Sequence, residues 1–140
     1  MVRFDDVLEG DELPALVFRL TKDQVRDYAR ATDIFFPRFT DDEGARREGL
    51  PGMITPGNMS MGLISRFLEG WSGPGRLRRL GTTFRGLVLP DRVIRICGVV
   101  TERDADGGTV EVDVWIEGEE RERLVIGTAT VGLCDVSTAG

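Results

Sequence analysis

The chain has 140 residues, 41% of them hydrophobic and 30% charged, with a formal net charge of -6 and a pI near 4.7. That length suits one domain burying about two-thirds of its unfolded surface around a single core. The acidic balance excludes nucleic acid and anionic membranes as partners, because both demand a basic footprint, and the N-terminal Met-Val-Arg-Phe-Asp-Asp has no apolar signal region, so a cytoplasmic protein is expected.

Residues 1 to 20 read as a lead-in loop and a first strand ending on Val17-Phe18-Arg19-Leu20. Thr21 with Gln24 forms a capping box, and Val25, Tyr28, Ala29 and Thr32 recur at helical spacing, which predicts a helix to about Thr32. From Ile34 to Pro56 there are three prolines and three glycines without sustained periodicity. This predicts an ordered loop with one turn around Asp42 to Arg47, and a loop of that length is usually functional. Asn58 is the expected cap of a second helix. Met59, Met61, Leu63, Ile64, Phe67, Leu68 and Trp71 then surround almost its whole circumference with apolar groups, so the helix should be enclosed. Gly70 and Ser72-Gly73-Pro74-Gly75 should end it.

The remainder is strand-like. Residues 76 to 89 form one candidate strand, interrupted at Gly81 and Gly86. Val93 to Arg103 and Leu124 to Leu133 flank a third, in which Val110, Val112, Val114 and Ile116 alternate with polar positions. Asp106-Gly107-Gly108 and Glu117 to Glu122 are the hairpin loops. One sheet and one apolar helix bury each other when the sheet curls around the helix, an α+β arrangement of about five antiparallel strands. Cys97 and Cys134 lie in strand-like runs and read as buried thiols, and with no histidine in the chain there is no zinc set to complete.

Residues 33 to 59 are similar to the active-site segment of the MaoC-like (R)-specific enoyl-CoA hydratases, which runs Gly-Asp-x-Asn-Pro-x-His-x-Asp, then Ala and Gly, and closes on Ile-Ala-His-Gly-Met. Pro37, Asp41, Ala45, Gly49, Ile54, Gly57 and Met59 fall at the family's spacings. Phe39 stands at the catalytic His position, Phe36 at the Asn position and Pro56 at the second His position, while Asp33 matches the catalytic Asp with one extra residue before Pro37. Phe84 through Leu89-Pro90-Asp91 resembles the family's strand junction. The resemblance extends from Phe4 to Leu133 and implies a single hotdog domain, residues 1 to 140.

Hydrating an enoyl thioester requires a base, an acid and donors for the enolate oxygen. In the family Asp and His share the proton work, and amides at the start of the buried helix hold the oxyanion. The resemblance therefore assigns Asp33 as the one candidate acid or base, and Phe36, Arg38, Phe39, Thr55, Gly57, Asn58 and Met59 as substrate-contacting residues. Arg38, Arg46 and Arg47 are candidate cations for the phosphates of coenzyme A, and Phe35, Phe36 and Phe39 suggest an apolar wall or a partner-facing patch. No cofactor and no metal is implied, since the acidic triplet Asp41-Asp42-Glu43 starts a turn and lacks further oxygen ligands. A hotdog thioesterase needs a carboxylate near the helix start, where Asn58, Ser60 and Met61 provide none. A serine hydrolase needs a base for Ser60 or Ser65.

The implied function is acyl-thioester binding, to acyl-CoA or an acyl carrier, by the non-catalytic half of a heteromeric hydratase. Alternatives are a homodimeric enzyme using Asp33 and a non-enzymatic binding module. In each case the expected partner is a second hotdog subunit, either another copy or a different chain.

Overall fold

A computed structural model describes residues 2–133. After a 3-10 turn at Phe4–Asp6 come β1 (Leu16–Arg19), α1 (Lys22–Ala31), α2 (Pro37–Thr40), α3 (Asp42–Arg47) and α4 (Gly57–Ser72). Four strands follow: β2 (Leu77–Phe84), β3 (Val93–Asp104), β4 (Thr109–Glu117) and β5 (Arg123–Gly132). All five strands form one antiparallel sheet in the order β1-β3-β4-β5-β2. Its concave face receives α4, the α+β hotdog arrangement.

The period of two in β4 does what the sequence implies. Val110, Val112, Val114 and Ile116 are at most 1% exposed, and they face Ile64, Phe67 and Leu68 of α4 within one apolar cluster. Across the ladder Val114 is opposite Gly98, where a Cβ would meet Leu13, Phe67 and Val112, each at 3.3 Å. At that point the backbone of β3 approaches the helix closely. The β3–β4 hairpin closes through Asp104, whose Oδ1 accepts the amides of Asp106 at 3.1 Å and Gly107 at 3.2 Å. In the β4–β5 hairpin Gly118 N–H donates to the Glu122 carbonyl at 2.9 Å.

On the outer face the Trp115 indole donates to Glu117 at 2.9 Å and lies 4.0 Å beneath the Arg123 guanidinium. The Cys97 thiol faces the same carboxylate at 3.6 Å, and burial, together with that neighbouring charge, pushes its pKa up to about 11. Cys97 is therefore a protonated, half-buried thiol rather than a buried one. Cys134 lies outside the described residues.

Several element boundaries differ from the sequence reading. The capping box on α1 forms as expected, with Gln24 N–H donating to Thr21 Oγ1 at 3.1 Å and Thr21 N–H to Gln24 Oε1 at 2.9 Å. The expected loop after it contains two helical turns instead of one. Pro37 begins α2 because its missing N–H costs nothing at a first helical position, and Thr40 Oγ1 donates back to the Phe36 carbonyl at 3.1 Å. α4 is capped by Pro56, whose φ of -60° and ψ of 142° fit the extended cap geometry, and Asn58 lies inside the first turn. Gly70 does not end the helix. It sits on its exposed side, and the chain turns out at Gly73, where φ is 97°. β2 runs uninterrupted through Gly81 and stops before Gly86.

α4 is also enclosed along one side only. Ser60, Ile64, Phe67, Leu68 and Ser72 are buried, while Asn58, Gly62, Arg66 and Gly70 form an exposed stripe. The sheet of a single chain covers half of the helix, and the apolar Met61, Leu63 and Trp71 fall at the margins, half-buried.

A second apolar cluster of Leu20, Val25, Ala45 and Met53 ties α1 and α3 to the segment before α4. Asp42 reinforces it. One carboxylate oxygen accepts Lys22 Nζ at 2.7 Å and the other accepts Met53 N–H at 3.0 Å. The Lys22 hydrogen bond is the main influence holding the Asp42 carboxyl below its ordinary value of 3.8.

Two outcomes are expected. Gly98→Ala should destabilise the fold by about 1–3 kcal/mol in urea denaturation, because three packed side chains must yield to one methyl group. Asp42 titrates lower folded than unfolded, so its stabilisation is present above 3.8 and is lost as the pH falls through the folded-state value. Asp42→Asn should therefore lower the urea midpoint at neutral pH, and the gap to wild type should shrink steadily below about pH 4.

Candidate functional site

The segment that leads into α4 has an unusual pattern of backbone donors. Three successive amides are tied to three different elements: Met53 N–H to the Asp42 side chain at 3.0 Å, Ile54 N–H to the Arg38 carbonyl at 2.9 Å, and Thr55 N–H to the Val88 carbonyl at 2.8 Å. Pro56 has no N–H. The next two amides, Gly57 and Asn58, have no hydrogen-bond partner among the described residues. Met59 N–H and Ser60 N–H both return to the Pro56 carbonyl, at 3.0 and 3.2 Å. Two preorganised donors thus remain at the positive end of a 16-residue helix. Of the three first-turn residues that the sequence offers, Met59 is excluded as an amide donor, and its half-buried side chain packs on the second cluster.

Thr55 adds a polar group to this end. It is 6% exposed, and its Oγ1 is buried without a hydrogen-bond partner. A buried hydroxyl left unsatisfied costs about 1–3 kcal/mol, so it calls for a reason. Phe84, at the end of β2 and 49% exposed, closes over the same place: a Cβ on Gly57 would lie 3.0 Å from its ring. Glycine at 57 keeps both the ring and the helix start in position.

The aromatic residues stand beside this segment on α2. Phe36 and Phe39 meet edge to face with ring centroids 6.4 Å apart, and the Arg38 guanidinium lies 5.8 Å from one ring and 5.7 Å from the other. Arg38 also donates to Glu48 at 3.2 Å. Because the Arg38 carbonyl holds Ile54, one residue links the aromatic pair to the approach to α4. Phe35 is 52% exposed, with Arg30 stacked 5.1 Å above it. Arg47 pairs loosely with Glu43 at 3.8 Å, and Arg46 Nε donates to the Pro51 carbonyl at 3.4 Å.

Asp33 is not joined to this group by any hydrogen bond. It follows the end of α1 in the left-handed region, φ 59°, exposed, with its carboxylate unbonded among the described residues. Asp41 caps α3 by accepting Gly44 N–H at 3.0 Å, and no group of acidic, cysteine or histidine side chains among the described residues could hold a metal ion. Sequence reasoning did not find Asp42 as a clamp, nor the Val88 carbonyl or the Phe84 ring as parts of the site. All three act through tertiary contacts; Asp42 stood out only as one member of an unremarkable triplet, and Phe84 and Val88 only as part of a stretch resembling the family's strand junction.

The sequence profile described as "MaoC like domain" matches residues 9–126. No curated protein matches the chain. Among solved structures, a MaoC-like dehydratase is 29% identical with a TM-score of 0.88, over 94% of this chain and 42% of that one, so this chain spans less than half of that protein. A chain of the ChsH1–ChsH2 complex from Mycobacterium tuberculosis is 20% identical with a TM-score of 0.82, over 90% of this chain and 98% of that one. An (R)-hydratase from A. caviae involved in PHA biosynthesis is 21% identical with a TM-score of 0.84, over 91% and 97%. The last two share the fold. No helix among the described residues is long and apolar enough to cross a membrane. With the profile spanning most of its length and the hotdog sheet curled over α4, the chain belongs to the MaoC-like domain family.

Proposed function

We propose that this protein binds an acyl thioester, of coenzyme A or a carrier protein, as the non-catalytic half of a heteromeric enoyl hydratase or dehydratase. One observation carries the reading. Gly57 N–H and Asn58 N–H have no hydrogen-bond partner among the described residues, as the donors of an oxyanion site would, and the resemblance puts Phe39 and Pro56 at the positions that hold imidazoles in the family. A thioester carbonyl placed against the two amides would accept hydrogen bonds from groups fixed before binding and favoured by the helix dipole. Thr55 Oγ1 would gain the partner it lacks. Phe36 and Phe39 would give the acyl group an apolar wall, and Arg38, 46% exposed at its side chain, would compete with Glu48 for a phosphate at the rim.

The missing function is proton transfer, since a phenyl ring neither takes nor gives a proton. A partner hotdog would supply the acid and base. That two differently named chains form the ChsH1–ChsH2 complex supports such a division of labour. A homodimeric enzyme using Asp33 is a second reading, favoured by the left-handed backbone and unbonded carboxylate of Asp33. It is the weaker one, because Asp tolerates this conformation better than most residues and commonly closes a helix in it.

Thr55→Val separates binding from stability. Removing an unsatisfied buried hydroxyl at constant shape should raise the stability of the unliganded chain by about 1 kcal/mol and weaken butyryl-CoA about 5- to 10-fold, measured by thermal shift and calorimetry. A variant that is less stable and binds as tightly as wild type would assign the hydroxyl a purely structural role.

The chain alone should hydrate crotonyl-CoA about 10²- to 10⁴-fold more slowly than an intact Asp–His enzyme, the usual cost of losing a general acid or base. Phe39→His should recover part of that rate. An ordinary rate from the wild-type chain alone, abolished in Asp33→Asn, would favour the homodimeric enzyme instead.

A further inference from the structure

Beside the approach to α4, separate parts of the chain meet around a cleft of about 200 Å³: the start of α1, the body of α3, the residues ending at Met53, and the connection between β2 and β3. The connection is fixed there by Asp91, whose N–H donates to the Leu20 carbonyl at 2.6 Å in a left-handed turn with φ 61°. Aspartate takes this conformation more readily than most residues, so the turn costs little and sets the exposed Arg92 at the cleft. Lys22, Arg46 and Arg92 border it, against the carboxylates of Asp42 and Asp91. On a chain with a net charge of -6 this is a local reversal of sign.

The cations are not equally committed. Lys22 gives one hydrogen bond to Asp42, which also holds Met53 N–H, and an ammonium has more donors than that bond uses. Arg46 makes only the long contact to the Pro51 carbonyl at 3.4 Å. Arg92 has neither a hydrogen bond nor an ion pair among the described residues. It also borders a neighbouring cleft lined by Glu119, Glu120 and Glu122, yet none of these carboxylates holds it. Arg38, by contrast, reaches an anion only by giving up Glu48.

We infer that this cleft takes the phosphate at the end of a pantetheine arm, the group that coenzyme A and a carrier protein have in common. The inference rests on the thioester-binding reading above and names where the carrier end of that ligand lies. Met53, in the wall of the cleft, is four residues from Gly57, so the two are at most about 14 Å apart, within reach of a pantetheine arm whose thioester carbonyl is held at Gly57 and Asn58. The guanidinium groups of Arg46 and Arg92 suit phosphate oxygens, and Lys22 adds a point charge. Asp91 would repel the phosphate itself, but its carboxylate is an acceptor for the hydroxyl and amide N–H groups of the arm. Leu89 and Pro90 give the methyl groups of the pantoyl unit an apolar surface.

Calorimetry with butyryl-pantetheine, butyryl-phosphopantetheine and butyryl-CoA tests this on the full chain. The phosphate should tighten binding about 10-fold between the first two probes. Arg46→Gln with Arg92→Gln should erase most of that gain and leave butyryl-pantetheine bound as by wild type; Arg92→Gln alone serves if the double variant does not fold. Equal binding of the first two probes by wild type overturns the phosphate site and leaves the thioester reading standing. A gain that survives in the variant, or a variant that loses butyryl-pantetheine as well, overturns the choice of this cleft. If none of the three probes binds, the thioester reading fails and this inference with it. Butyryl-CoA binding no tighter than butyryl-phosphopantetheine supports a cleft that reads only the phosphate shared with a carrier protein. A further gain with butyryl-CoA, lost in the variant, supports the same cleft with coenzyme A as its source.

Discussion

A helix packed into a sheet carries its unsatisfied N-terminal amides into the protein with it, and the approach to α4 is organised around that constraint. Thr55 and Pro56 are buried and Gly57 is half-buried, so the amides leading into the helix need acceptors from the protein. The fold answers by giving each of Met53, Ile54 and Thr55 a separate acceptor, on α3, on α2 and in the connection between β2 and β3. Proline then removes one donor altogether. Only Gly57 and Asn58 remain, at a point fixed from three directions. Such a place holds an anionic or carbonyl oxygen without rearrangement, which is what a thioester site needs from its backbone.

The same anchoring explains the otherwise irregular region between α1 and α4. α2 and α3 have four and six residues and would not form alone in water. They are held by what they hold: the α2 backbone through the Ile54 amide, Asp42 of α3 through Lys22 and Met53, and Ala45 through the second apolar cluster. The aromatic pair Phe36 and Phe39 is displayed by α2 and kept in place by Arg38, so the wall of the site and the donors of the site share one support. The Phe39 ring fills space and stacks within that support.

The sheet has a comparable division. Its inner face is apolar and committed to α4, while the outer face is built from paired polar groups: Glu111 with Thr130 at 2.7 Å, and Glu117 with Trp115, Cys97 and Arg121. What neither face uses is the edge. The curl that brings β1 across to one side and β2 to the other leaves α4 with an exposed stripe and, among the described residues, β2 with a strand on one side only.

Periodicity and local chemistry determined much of this in the sequence by themselves. Alternation in β4, the Thr21–Gln24 capping box and the two glycine-containing hairpins are decided by contacts a few residues apart, and they form where the sequence places them. The spacing of Pro37, Asp41, Ala45 and Gly57 likewise marked the segment that forms the candidate site. The boundaries that moved are those decided at a distance. Pro56 rather than Asn58 starts α4 because the preceding residues are held extended by three other elements, and α2 exists because its carbonyl has Ile54 to bind. The double role of Asp42 and the hydroxyl of Thr55, without a partner among the described residues, depend on which groups lie nearby in space. Pairing and burial are properties of neighbours remote in the chain, and only the tertiary structure brings those neighbours together.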